Sequence, residues 1–258
     1  MNAFPPPNPR DAVSPGTQYG RDTGNSGVGF QFRPPSRRFR RRSPFLVTNA
    51  LISINVGIFL WLTLDEIGSA VLGTTTGDRV LDFVIARPFL EQGEWWRLVS
   101  AGFVHFGLLH VGLNMFLLYQ LGRLIEPVIG PLRFGLLYGA SLLGGSLGAL
   151  IVSPNAATGG ASGAVFGVMA ASVVGVGQRG VNPLRTGLGV TFFINVLLTL
   201  AIPGISVGGH FGGAIIGAIV GALVLAPRSW HVPSWAQILV PIIAGLSCVL
   251  IAFGIVGS

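Results

Sequence analysis

The chain has 258 residues, of which 50% are hydrophobic and only 10% are charged, and its mean hydropathy is +0.69. Soluble globular domains carry about 25% charged residues, so this composition excludes a water-soluble fold, and the 39 glycines follow no Gly-X-Y period that would indicate a fibrous protein. The net charge of +7 is the balance of 16 basic residues, all arginine, and 9 acidic residues. Basic segments beside apolar spans are more typical of the anionic cytoplasmic leaflet than of nucleic-acid binding.

The first 43 residues differ in composition from the rest. They are rich in Pro, Gly, Ser and Arg and lack apolar periodicity, so residues 1–43 are predicted to form a disordered, basic cytoplasmic tail. No apolar segment follows within the first 30 residues, and we therefore do not expect a secretory signal peptide here. The arginine-rich run at 37–42 is interpreted as an anchor that sets the topology of the first span.

Uncharged stretches predict the membrane spans, because a charge in the hydrocarbon core costs several kcal/mol and a span needs about 20 residues. Five such stretches hold 22, 25, 45, 42 and 30 residues: 43–64, 98–122, 134–178, 186–227 and 229–258. Turn-forming residues at 153–155 and 203–204 divide the two longest. The prediction is an all-α polytopic membrane protein of seven helices, with a six-helix domain over residues 44–226 and a loop and seventh helix over residues 227–258.

The arginine distribution predicts the orientation of these spans. Residues 1–45 carry eight Arg against two Asp, a net charge of +6, whereas residues 65–104 carry three Arg against six acidic residues, a net charge of −3. The positive-inside rule therefore predicts a multi-pass protein of the cell membrane with a cytoplasmic N-terminus and an extracytoplasmic C-terminus. Residues 65–104 form an extracytoplasmic first loop, and Trp95 and Trp96 indicate that this loop is partly embedded at the membrane–water interface.

Six strongly polar or ionisable side chains are predicted within the spans or at their mouths, where each is costly. They are His105, His110, Asn114, Ser162, Asn195 and His210. A lone intramembrane histidine is as readily explained by a bond to a neighbouring helix as by a functional site. The second, fourth and sixth spans all run inward, so His110, Asn114, Ser162 and His210 are predicted to lie at one level below the outer surface. This clustering favours a functional site.

Ser162 is predicted to begin the fourth span, within Gly160-Ala161-Ser162-Gly163. A serine at a helix start can simply be an N-cap, but its small neighbours let another helix or a substrate approach closely. The sixth span continues from His210 through Gly213 and Gly217, a small-xxx-small stripe that favours close helix packing. Two such helices can bring a serine oxygen to a histidine nitrogen, which is the geometry of a nucleophile and its base.

The chain holds no Asp or Glu after Glu126. A three-residue relay with a carboxylate is therefore excluded on these helices, and a hydrolase built here would use a Ser–His dyad. Phe166 lies one turn after Ser162 and is the best candidate to pack against the His210 ring and orient it.

Residues 45 to about 226 resemble the rhomboid family of intramembrane serine proteases. The matching features are Trp96-Arg97, His110-x-x-x-Asn114, Glu126 with Gly130 and Arg133, Gly-Ala-Ser162-Gly, and His210-x-x-Gly213-x-x-x-Gly217. The resemblance implies a six-helix rhomboid core with the seventh helix as a C-terminal addition. This chain departs from many relatives in having Phe166 where they have tyrosine, which keeps the packing surface but lacks the hydroxyl.

The resemblance also implies roles for the matched residues. Ser162 resembles the nucleophile and His210 the general base, while His110 and Asn114, with the Ser162 backbone N–H, resemble the oxyanion hole. His105 is expected to support the first loop or a water network. Glu126 and Arg133 are expected to tie the cytoplasmic end of the bundle. Supporting roles around the site are expected for Gly160, Gly163, Phe166, Trp96, Arg97, Gly213 and Gly217.

The implied substrate is a transmembrane helix of another membrane protein, cut near the extracytoplasmic side. Helix-breaking residues in the substrate and small residues before the scissile bond would favour cleavage, and the fifth span would be a mobile gate by analogy. The expected partners are such substrates and the lipid bilayer, without nucleic acid. No cofactor motif is visible, and the scattered histidines and the single Cys248 do not suggest a metal site.

Two other classes of function are open to this sequence. A non-proteolytic rhomboid-like protein that binds membrane clients would have the same fold but lack Ser162 or His210, and both are present. A channel or transporter would continue the polar path toward the cytoplasm, whereas the helices after Asn114 and His210 become apolar. The natural substrate and the oligomeric state stay open.

Overall fold

A computed structural model of the protein describes residues 45–64, 71 and 77–257. The predicted basic tail at 1–43 and most of 65–76 lie outside these residues. The regular secondary structure of the described part of the chain is helical apart from one isolated β-bridge, between Ile85 and Thr158. Its seven long helices are α1 (Leu46–Leu62), α2 (Leu108–Ile129), α3 (Pro131–Val152), α4 (Ser162–Gly177), α5 (Gly187–Ala201), α6 (Val207–Val224) and α7 (Ala236–Val256).

Four of these helices, α2, α3, α6 and α7, are long and apolar enough to cross a membrane. Helices α1, α4 and α5 are apolar but shorter, with 17, 16 and 15 residues. Large apolar side chains are exposed on the outer faces, such as Leu239, Leu246 and Leu250 of α7, as expected for helices in contact with lipid. The predicted class, a polytopic helical membrane protein, agrees with this fold, and the count of seven spans stays a prediction.

The loop between α1 and α2 is folded where the structure describes it. Its regular elements are the short helices Asp78–Leu81, Arg87–Glu91 and Arg97–Ser100, and the 3₁₀ turn Ala101–Phe103. Val84 and Leu90 are almost fully buried, and the bridge from Ile85 to Thr158 joins the loop to the connection between α3 and α4. The first loop is therefore fastened to the segment that leads into α4.

Helix α6 packs against α4 through small residues. Gly213, Gly217 and Gly221 of α6 face Gly163, Gly167 and Ala171 of α4, in that order. A Cβ atom at any of these three α6 positions would collide with α4. The small-xxx-small stripe predicted from the sequence is thus a backbone-to-backbone contact, and it brings the N-terminal ends of both helices together.

The opposite face of α6 packs on α3 in the same way. Gly144, Gly145 and Gly148 of α3 lie against Gly208, Gly209 and Gly212 of α6. Helix α6 is therefore held between two backbones, and the second glycine contact is a feature that the sequence did not predict.

A buried carboxylate connects α2 to the start of α1. The Glu126 side chain, 1% exposed, accepts hydrogen bonds from the backbone N–H groups of Val47 (2.9 Å) and Thr48 (2.8 Å) and from the Thr48 hydroxyl (2.6 Å). Since the first N–H groups of a helix have no partner within it, Glu126 supplies the cap that α1 lacks in its own sequence.

Helices α5 and α7 differ in how firmly they are held. Helix α7 packs on α3, and its Phe253 ring stacks on Trp95 of the first loop at a centroid distance of 3.7 Å. Helix α5 has the fewest buried residues of the seven long helices, namely Gly189 and Thr199. Its attachment to the bundle therefore depends on few contacts.

Candidate active site

A cavity of about 570 Å³ lies between α2, α4, α5 and α6, beside the first loop. Its polar lining comprises His110, Asn114, Ser162, Asn195, Thr199 and His210, together with Ser146, Thr158 and Ser206, and its wall also includes Gly160, Gly163 and Phe166. Among the described residues, no Asp, Glu or Arg lines it. The structure therefore brings together the side chains that the sequence predicted to share one level, in an uncharged pocket.

Ser162 is the first residue of α4, and Ala161 occupies the N-cap position. The Ser162 hydroxyl makes no hydrogen bond to any described residue, so it does not act as the cap that the sequence left open as its alternative role. The preceding Gly160 has φ +139°, which an L-residue with a side chain rarely adopts. Its N–H donates to the carbonyl of Ala101 at 2.8 Å, and this bond fixes the turn that presents Ser162 to the cavity.

His210 lies in the first turn of α6, where Ser206 caps the helix by accepting the N–H of Gly209 at 3.1 Å. Phe166 stacks on the His210 ring with centroids 4.1 Å apart and an interplanar angle of 22°. The Nδ1 atom of His210 lies 2.8 Å from the Thr199 hydroxyl. Nε2 is therefore the ring nitrogen left for chemistry in the cavity.

Ser162 and His210 line the same cavity without a hydrogen bond between them in the described structure. Their helices are in contact, because the backbone of Gly163 meets that of Gly213. Catalytic hydrogen bonds are often long before substrate binds and tighten only in the reactive complex.

His110 and Asn114 occupy one face of α2. The Asn114 amide donates to the His110 carbonyl at 3.0 Å, and the backbone N–H of Phe106 approaches His110 Nδ1 at 3.5 Å. A neutral imidazole that accepts at Nδ1 carries its proton at Nε2. A Cβ atom at Gly160 would lie 2.9 Å from this Nε2 and 3.4 Å from Ser162 Oγ, so the absence of a side chain at Gly160 leaves an open space between the two polar atoms.

His105 lies outside the long helices and is fully buried. Its Nε2 accepts the backbone N–H of Ala161 at 3.5 Å, and its ring packs edge-to-face on His110 at 4.9 Å. Burial, reinforced by the neighbouring His110, lowers the pKa of His105 to about 3. A neutral His105 thus connects the α4 start to α2.

Arg97 holds the first loop together, whereas Trp96 is 55% exposed. The buried Arg97 guanidinium donates to the carbonyls of Leu81 and Val84 and pairs with Glu94, and it also lies over the Phe89 ring at 4.1 Å. Of the two residues in the predicted loop motif, the arginine makes these contacts, and it is Trp95 rather than Trp96 that packs on α7.

The sequence missed Thr199 as a site residue. The sequence gives no reason to single out this threonine, because nothing local to α5 indicates which face of the helix meets α6. Asn195 four residues earlier was the available signal, since a polar residue on the same face of an apolar helix indicates a buried or cavity-facing stripe.

Comparison with known proteins places these features in a family context. The Rhomboid domain family model matches residues 92–227, a range that includes α2 to α6 and every cavity residue named above. The chain is 34% identical to "Rhomboid protease GluP" of Bacillus subtilis over 144 residues, which is 54% of this chain and 28% of that protein.

Two other similar proteins also have names of the rhomboid family. The chain is 32% identical over 134 residues to "RHOMBOID-like protein 5" of Arabidopsis thaliana, covering 50% of this chain and 43% of the relative. It is 32% identical over 130 residues to "Rhomboid-type serine protease 2" of Emericella nidulans, covering 46% and 25%. The match thus spans between a quarter and less than half of the length of these relatives.

Proposed function

Because this chain belongs to the rhomboid family, we propose that it is an intramembrane serine endopeptidase whose dyad consists of Ser162 and His210. It is a multi-pass membrane protein, and residues 44–226 form its protease domain. The observation that carries the proposal is the uncharged cavity lined by an unbonded serine hydroxyl, a histidine on an adjoining helix and two further polar side chains from α2. Membrane bundles seldom gather ionisable groups without a function.

The reaction would follow the general course of serine hydrolysis. Ser162 Oγ attacks the carbonyl carbon of the scissile peptide bond while His210 Nε2 accepts the hydroxyl proton. The C–N bond then breaks, the same proton passes from Nε2 to the leaving amine, and an ester remains on Ser162. Water cleaves that ester with His210 again as the base, which returns the serine and releases the new carboxyl group.

The negative oxygen of the tetrahedral intermediate needs hydrogen-bond donors that already point at it. We assign His110 Nε2–H, the Asn114 amide and the Ser162 backbone N–H to this oxyanion hole. The backbone bond from Phe106 to His110 Nδ1 supports this assignment, because it leaves the Nε2 proton toward the cavity. Loss of one such donor typically lowers kcat by about 10²–10³-fold, so His110→Ala should fall in that range.

The proposed substrate is a transmembrane helix of another membrane protein. Its backbone carbonyls are hydrogen-bonded until the helix unwinds, so helix-breaking residues near the cleavage point should favour the reaction. Entry is proposed on the side of α5, the least buried of the long helices. The cytoplasmic N-terminus and extracytoplasmic C-terminus predicted from arginine would put cleavage near the extracytoplasmic side of the cell membrane.

The test uses the full chain purified in detergent, a model transmembrane substrate and a fluorophosphonate that labels activated serines. Ser162→Ala and His210→Ala should each lower the cleavage rate by at least about 10³-fold. Ser172→Ala is the matched control, since Ser172 lies on the same helix, is buried and bonds only the Val168 carbonyl. Wild type and this control should be labelled, and Ser162→Ala should not.

Cleavage by Ser162→Ala at the rate of the wild type would overturn the dyad. Wild-type protein that binds a transmembrane helix but neither cleaves it nor reacts with the probe would favour the client-binding alternative instead.

A further inference from the structure

The only buried side chain of α5 contacts the histidine of α6. Thr199 is 2% exposed, and the other buried position of the helix is Gly189, which has no side chain. The Thr199 Oγ1 atom lies 2.8 Å from His210 Nδ1. This hydrogen bond connects two helices that otherwise share little contact surface.

The direction of this hydrogen bond follows from counting protons. A threonine hydroxyl has one hydrogen to donate and two lone pairs to accept with. Thr199 Oγ1 lies 2.7 Å from the carbonyl oxygen of Asn195, one turn earlier on α5, and a carbonyl can only accept. The hydroxyl proton is therefore committed to Asn195, and Thr199 must accept the hydrogen bond from His210 as Nδ1–H.

A histidine with its proton at Nδ1 has its free lone pair at Nε2. We infer that Thr199 is the positioning residue that sets the tautomer and ring orientation of His210, in place of the carboxylate that this cavity lacks. The inference rests on the proposed function, in which Nε2 must be unprotonated to accept the proton of Ser162. Phe166 stacking defines the plane of the ring, but a 180° flip within that plane would exchange Nδ1 with Cδ2 and Nε2 with Cε1. The flipped ring would present a carbon to the cavity, and only a polar partner distinguishes the two orientations.

A hydroxyl suits this environment better than a carboxylate. In the described structure, the histidines His110 and His210 are the only titratable side chains that line the cavity, apart from hydroxyl groups. An ionised carboxylate among these apolar helices would be costly to bury. A neutral acceptor on α5 orients the base without that cost, and it makes the orientation of His210 depend on the position of α5.

Three variants and one spectroscopic measurement test the inference. Thr199→Val retains the shape but removes the acceptor, and it should lower kcat about tenfold, the worth of one hydrogen bond, with little change in KM. Thr199→Ser restores the hydroxyl and should restore kcat to within about twofold of the wild type. Thr191→Val, two turns earlier on α5 and outside the cavity lining, is the matched control and should leave kcat unchanged.

The tautomer can be observed without any proteolysis. Nitrogen NMR of protein labelled on the histidine rings separates protonated from unprotonated ring nitrogens, and His210→Ala identifies the His210 signals. Wild type should show Nδ1–H, and Thr199→Val should show a substantial Nε2–H population. Nε2–H in the wild type, an unchanged tautomer and kcat in Thr199→Val, or failure of Thr199→Ser to restore kcat would each overturn the inference. Failure of the proposed function would appear separately, as Ser162→Ala that cleaves like the wild type.

Discussion

Replacement of Gly217 by alanine tests whether the site depends on the backbone contact between α4 and α6. A Cβ atom at Gly217 would lie closer to three backbone atoms of Gly167 than real Cβ atoms lie to any neighbour. Backbone atoms cannot rotate away, so the two helices must separate by about 1 Å to recover ordinary contact. Overpacking of this kind costs about 1–3 kcal/mol, and alanine regains at most about 1 kcal/mol of helix propensity.

The expected net loss of up to about 2 kcal/mol corresponds to a fall in Tm of up to about 8 °C. Activity should fall further than stability, because Gly217 lies two turns from His210 on α6 and Gly167 lies on the helix that begins with Ser162. A displacement of about 1 Å between reacting groups can lower a rate by about 10²-fold. We therefore expect a folded protein with strongly reduced kcat/KM.

The chain offers its own probe of unfolding. Cys248 is the only cysteine and is 2% exposed, so a thiol-reactive fluorogenic dye reports unfolding in detergent, and cleavage of a transmembrane substrate reports activity. Gly139→Ala is the matched control, since a Cβ atom on this α3 residue meets nothing within 4 Å. Its Tm and kcat/KM should equal or exceed those of the wild type. Wild-type values for Gly217→Ala would refute the role of close α4–α6 contact.

Three further predictions concern the surroundings of the site. Gly160→Ala should lower kcat/KM, measured by cleavage assay, by at least about tenfold. A Cβ atom there would fill the space between His110 Nε2 and Ser162 Oγ, and an alanine held at the positive φ of Gly160 costs about 1–3 kcal/mol. Glu126→Gln should lower Tm, because the amide retains one acceptor for three donors and each hydrogen bond to a charged group contributes about 1.5–3 kcal/mol; a dye-based melt measures this. The pKa of His105 falls from an ordinary value of 6.5 to about 3 on folding, so its contribution to stability is present above pH 6.5 and is lost as the pH falls toward 3; His105→Gln should therefore flatten the acid-side fall of Tm.

A specific result would contradict each of these three predictions. Unchanged kcat/KM in Gly160→Ala would mean that the space between the two polar atoms is not used. A Glu126→Gln protein as stable as the wild type would mean that water replaces the carboxylate at the start of α1. A parallel pH dependence of Tm in wild type and His105→Gln would assign acid destabilisation to other groups.

The parts of the fold and site that depend on local pattern could be predicted from the sequence. Charge-free stretches predicted the long helices, and glycine spacing after His210 predicted the face that meets α4. The contact between Phe166 and His210 followed from helical periodicity, since residues one turn apart share a face.

Features that depend on how distant elements meet could not be predicted. To predict the Thr199–His210 hydrogen bond, one must know which side of α5 faces α6, and a single helix sequence does not give that rotation. Gly144 and Gly148 likewise gave no sign of which helix they would face. Arg97 donates to two backbone carbonyls in irregular turns of the first loop. The directions of such carbonyls cannot be predicted, because irregular turns have no sequence periodicity. The groups that carry the proposed chemistry were therefore predictable from the sequence, whereas Thr199, the proposed positioning residue of His210, was not.

The cap that Glu126 provides to α1 has a consequence for biogenesis. Val47 and Thr48 are synthesised almost eighty residues before their hydrogen-bond acceptor. Until α2 has entered the bilayer, the start of α1 must rely on interfacial water or lipid headgroups for its N–H donors. Pairing of α1 with α2 is thus an assembly step that forms hydrogen bonds of its own. A chain arrested before residue 126 would carry a first helix that is incompletely capped and less stable in the bilayer.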